Sequence, residues 1–139
     1  MLTEIDILMR ILLSAALGGL IGFERQRRHR SAGFRTNLLV CLGACLITMT
    51  SLDAFSGADP ARVAAGIVTG IGFLGAGTII RTRGAESQER IEGLTTAAVL
   101  WVVAGIGLAV GAGYYFAAIV STAVIFLVLC AKRIERWME

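Results

Sequence analysis

Apolar residues in this chain come in long runs separated by short polar stretches. Five runs whose centres are free of charge cover residues 5–23, 36–55, 60–80, 93–112 and 113–131. A bilayer hydrocarbon core about 30 Å thick takes about 20 helical residues per crossing, so each run matches one membrane-spanning helix. In lipid the backbone must satisfy its own hydrogen bonds, which favours helices over isolated strands. The pattern therefore predicts an all-α fold, a polytopic integral membrane helical bundle with five transmembrane helices.

Charge orients that bundle. Of the 13 Lys and Arg residues, 11 fall in three segments: Glu24 to Arg35, Arg81 to Arg90, and the tail from Lys132. These are alternate inter-span segments, as the positive-inside rule requires of a multispanning protein. The expected topology has the N-terminus outside and the C-terminus in the cytoplasm. The start agrees, because Glu4 and Asp6 stand there without a Lys or Arg. A cleavable signal peptide would begin with a basic region, so the first span is expected to be retained.

Composition leads to the same class. A mean hydropathy of +0.76 with 56% hydrophobic residues is too apolar for a soluble domain of 139 residues. The spans leave no room for a soluble catalytic domain, so residues 1–139 read as a single transmembrane domain without a soluble C-terminal domain. The net charge of +3 is accounted for by topology and anionic headgroups, and nucleic acid is not an expected partner. Cys41, Cys45 and Cys130 all lie within spans and read as small packing residues. Cys41 and Cys45 share a helix face but lack further ligands, so no metal site is predicted.

Seventeen glycines lie mostly inside the spans. Gly18 with Gly22, Gly66 with Gly70, and Gly107 with Gly111 have the four-residue spacing that lets helix backbones approach in lipid. They predict a compact bundle and a homodimer without saying which pairs meet. The third span opens with Asp59 and Pro60, the residues expected of an N-cap and a first helical position. Its second half holds Gly70, Gly72, Gly75 and Gly77, enough to weaken a helix unless neighbours support it. Two readings stay open there: a smooth packing face, or a discontinuous helix lining a transport path. Gly111 and Gly113 mark a tight turn before the fifth span, with Tyr114 and Tyr115 at an outer interface and Trp137 at the inner one.

Charged groups inside lipid need a partner or a path to water. Arg10 in the first span and Asp53 near the end of the second occupy the same leaflet, so an outer-leaflet ion pair between them is one reading; separate snorkelling is the other. At the inner face Glu24, Arg25, Arg35, Thr36, Asn37, Arg81, Thr95 and Thr96 lie at one depth. They can converge into a polar pocket for a small anion or a docking patch, or they can simply cap and anchor helices. No catalytic set, phosphate-cradling loop or cofactor motif can be assembled, and His29 is alone. The chain is not expected to be an enzyme or to carry a cofactor.

Three segments, GGLIGFERQRRHRSAGFRTNLLVCLGA, DPARVAAGIVTGIGFLGAGTIIR and GLTTAAVLWVVAGIGLAVGAG, together resemble the MgtC/SapB family of bacterial inner-membrane proteins in order and spacing. The resemblance runs from about Leu17 to Gly113 and implies a five-span membrane domain. It places Glu24, Arg25, Arg35, Thr36, Asn37, the glycines from Gly70 to Gly77, Gly93, Thr95 and Thr96 on the family's motif positions. It also implies an accessory or regulatory role in adaptation to magnesium limitation or acid stress, exerted on another membrane protein such as F-type ATP synthase. Better-known members continue into a soluble regulatory domain beyond the point corresponding to Glu139. The alternative is a small passive or gradient-coupled transporter or channel for an ion or small solute, its path lined by the glycine-rich third span.

Overall fold

The structure is a computed structural model, and it describes residues 2–55, 57, 59–83 and 89–131. Among the described residues five helices form: α1 (Glu4–Arg27), α2 (Phe34–Ala54), α3 (Pro60–Gly77), α4 (Leu94–Gly111) and α5 (Tyr115–Cys130). Four of them are long and apolar enough to cross a membrane, and the all-α membrane bundle read from hydropathy is what forms. The fifth has 16 residues and so a length of about 24 Å, short of the hydrocarbon thickness. Trp137 and the basic tail lie outside the described residues.

Local chemistry sets the helix starts. Thr3 caps α1 reciprocally with Asp6: the Asp6 amide donates to Thr3 Oγ1 and the Thr3 amide donates to Asp6 Oδ2, both at 3.2 Å. Asp59 accepts from the Ala61 amide at 2.9 Å with Pro60 behind it, as the Asp-Pro pair predicts. The α4–α5 turn runs through Gly113 at φ +85°.

α4 is the central helix. It is apolar all round and buries Val99, Leu100, Val103, Ala104, Ile106 and Val110 on more than one side. α1 and α2 pack against each other and against α4, where Ile21, Cys41, Cys45, Val103 and Val110 meet. α3 is peripheral: it touches α4 chiefly through Ile71 and Gly75, its only buried residues. Phe73 and Phe116 point outward and are each 83% exposed, as side chains facing lipid do.

Two predicted boundaries change. The third helix runs unbroken through Gly70, Gly72 and Gly75 and stops at Gly77, where Thr78 N–H and Oγ1 both bond the Gly75 carbonyl. The chain then forms an antiparallel hairpin, β1 (Ile80–Arg83) with β2 (Glu89–Glu92), in register Arg81 opposite Ile91. Arg81 therefore belongs to a strand and does not end a helix, because the Thr78 cap closes α3 before Arg81 is reached. Helices α1, α3 and α4 put Glu4, Asp6 and Asp59 at one end of the bundle and the α1–α2 turn and hairpin at the other, the acidic and basic ends hereafter.

Candidate functional site

At the basic end, three glycines on α1 let α2 approach closely. A Cβ at Gly18 would sit 2.5 Å from Cys41 Cβ, and one at Gly22 would sit 2.8 Å from Phe34 Cα. That approach fully buries Asn37, whose amide Nδ2 donates to the Ala32 and Gly33 carbonyls at 2.9 Å each. Gln26 Oε1 accepts from the Phe34 amide at 3.1 Å, starting α2, and His29 adopts φ +54° to turn the chain back. The arginine-rich connection is thus folded onto the bundle by its own polar side chains.

The last turn of α1 buries two opposite charges, Glu24 and Arg25, which are 5% and 4% exposed. The Glu24 carboxylate pairs with Arg25 at 3.6 Å and with Arg28. Burying either charge alone would be costly, and pairing offsets that cost. Hydrogen-bonding capacity is left over on Arg25, because its Nε has no hydrogen-bond partner among the described residues.

Arg25 also lines a polar cavity of about 760 Å³ between the α1–α2 turn and the start of α4. His29 and Arg30 form one wall, and Thr78, Glu92, Thr95 and Thr96 form the other. Gly93 makes that second wall possible. It sits at φ +95°, and a Cβ there would fall 1.9 Å from the Thr78 carbonyl oxygen, so the hairpin closes directly onto the end of α3.

The predicted inner cluster divides. Arg25, Thr95 and Thr96 share the cavity, Asn37 supports the turn behind it, and Glu24 turns toward Phe126 and Cys130. Arg35 and Thr36 lie elsewhere, at one end of an apolar groove of about 750 Å³ between α2 and α3. The side chain of Arg81 lies outside the described residues. Among the glycines, Gly75 packs on Ala97, whereas a Cβ at Gly70, Gly72 or Gly77 would meet nothing within 4 Å among the described residues. Gly66 and Gly43 are equally open, and both line the groove with Gly70.

Arg10 and Asp53 each make contacts at the acidic end of the bundle. The Arg10 guanidinium donates to the Gly111 carbonyl and lies over the Tyr115 ring, 5.7 Å from its centroid. Asp53 Oδ1 accepts from the Leu2 amide at 2.9 Å. The α4–α5 turn brings an acceptor and an aromatic face nearer to Arg10 than hydropathy can foretell.

Sequence reasoning missed Gln26, Thr78 and Glu92. The T-x-x-D signature at Thr3 was readable as a cap, whereas RTR and ERIE do not alternate polar and apolar positions and gave the hairpin no local signal. Gln26 carries no such local signal, since it acts on a residue eight positions away.

Comparison with known proteins places these features in context. The profile of the MgtC family matches residues 11–137. Protein MgtC of Salmonella typhimurium is 45% identical over 129 residues, covering 93% of this chain and 52% of that protein. YhiD of Escherichia coli K12, named as a proposed magnesium transporter, is 40% identical over 132 residues, covering 89% and 59%. An uncharacterized protein of Haemophilus influenzae is 36% identical over 143 residues, covering 96% and 58%. The chain thus spans between half and three-fifths of the length of these relatives. No solved structure matches it.

Proposed function

This chain belongs to the MgtC family of bacterial inner-membrane proteins, and from that premise we propose that it acts as an accessory or regulatory factor in adaptation to magnesium limitation or acid stress by holding another membrane protein. The observation that carries this reading is the α2–α3 groove. Its floor and walls hold Gly43, Gly66, Gly70, Ile67, Ile71 and Ala104, and the three glycines face open space. Helices associate in lipid through such small-residue faces, because close backbone approach replaces the hydrophobic drive available in water. α3 is also the least buried of the four long helices, at 11% of its apolar window. The seat suits a transmembrane helix of a partner, with Arg35 and Thr36 at the basic end to meet that partner's headgroup-level polar residues. F-type ATP synthase is the candidate partner that the family resemblance implies.

Photo-crosslinking from Gly70 and Gly43 in native membranes tests the proposal. Adducts with a different membrane protein, lost on Gly66→Leu, are the expected result. Adducts only with a second copy would replace the partner with a homodimer, and no adduct from folded protein would remove the reading.

The transporter reading draws less support from the same groove. Its described lining carries no carboxylate, and α3 passes it as a continuous helix with no freed carbonyls to coordinate an ion. Saturable flux of magnesium, potassium, protons or small amino acids into liposomes containing only this protein would reverse that preference.

A further inference from the structure

We propose that the polar cavity at the basic end is a binding site for a phosphate-type oxyanion, held between Arg25 and the N-terminus of α4. The first helical bond of α4 runs from the Ala97 amide to the Gly93 carbonyl, so the amides of Leu94, Thr95 and Thr96 precede the hydrogen-bonded turns. Gly93 has no side chain with which to cap them, and none of the three donates to a described residue. Free amides at a helix N-terminus attract anions through their partial positive charge.

The second observation is independent of that helix. Arg25 lines the same cavity while 96% buried, and its Nε–H has no hydrogen-bond partner among the described residues. Its contact with Glu24 is a single 3.6 Å approach through one terminal nitrogen, so the guanidinium retains donors for an oxyanion. Arg30 adds a second cation at the wall, and Thr95 and Thr96 add hydroxyls. Glu92 is the one carboxylate among the described lining residues, and it is exposed. A volume of about 760 Å³ is within the usual range for small-molecule sites and exceeds what a bare ion fills. The oxyanion therefore belongs to a larger body, either an anionic lipid headgroup or a soluble phosphorylated compound.

The experiment uses the purified protein in lipid nanodiscs and follows its thermal unfolding. One arm titrates inorganic phosphate at constant ionic strength into discs of phosphatidylcholine, with chloride as the control. The other compares discs with and without phosphatidylglycerol in the absence of phosphate. Saturable stabilisation of about 2–4 °C in the first arm identifies a soluble phosphate as the ligand class, and in the second arm alone, a headgroup. Removal of Arg25 strands the buried Glu24 and endangers the fold, so the decisive variant is Thr95→Glu. It places a carboxylate on the exposed first turn of α4, where the helix tolerates it and the incoming anion does not. Thr95→Glu should fold and lose the response at least tenfold in half-saturating concentration. A wild type that responds to neither arm, an equal response to chloride, or a Thr95→Glu variant that responds like wild type would overturn the site.

Discussion

Gly107 lies so close to Cys41 that an added Cβ would fall 2.1 Å from the Cys41 carbonyl oxygen. One turn along, the same substitution at Gly111 would meet the Cys45 carbonyl at 2.6 Å. These two glycines hold α4 against α2, whereas Gly66 and Gly70, with the same spacing on α3, face open space. Gly107→Ala is expected to cost about 1–3 kcal/mol through overpacking. Gly66→Ala should be neutral or stabilising by about 0.5–1 kcal/mol through helix propensity. Reversible unfolding in mixed micelles measures both, and equal losses at the two sites would contradict the packing described.

Glu24 and Arg25 bury opposite charges with Arg28 alongside. Glu24→Gln leaves Arg25 buried without its counter-charge and should destabilise by about 3–5 kcal/mol. Adding Arg25→Met to that variant should recover much of the loss. A double variant no more stable than Glu24→Gln alone would show that the pair is not the source of the cost.

Arg10 is anchored by a carbonyl and an aromatic face on the α4–α5 turn. Tyr115→Leu and Arg10→Met are therefore expected to be non-additive, with a coupling of about 0.5–1 kcal/mol in a double-mutant cycle. Strict additivity would mean that the stacking contributes nothing.

Gly93 combines a left-handed backbone with contact against Thr78. Gly93→Ala should be among the most damaging single-methyl changes in the chain, at roughly 2 kcal/mol or more. The loss should appear locally first, as faster amide hydrogen exchange in residues 89–93 than in the core of α4. Unchanged exchange in that segment would remove the proposed closure of hairpin on helix.

Much of the architecture was legible without coordinates. Five apolar runs and the segregation of arginines are properties of composition along the chain, and lipid enforces them regardless of how helices rotate. The Asp59–Pro60 start and the Gly113 turn were equally local, since each depends on residues within one turn of itself. The candidate site was legible only in its membrane depth. Which of Glu24, Arg25, Arg35, Thr36, Thr95 and Thr96 meet depends on helix rotation and tilt, and these follow from glycine contacts more than 20 residues apart in sequence, such as Gly18 with Cys41. The same long-range packing sent Arg35 to the groove, Arg25 to the cavity and Arg10 to Gly111. Sequence alone determined that an all-α bundle of apolar helices forms and which segments are basic, because hydropathy and charge act locally. Tertiary structure alone decided which glycines pack and which stay open, because an identical spacing on α3 and α4 acquires its meaning from the neighbour it faces.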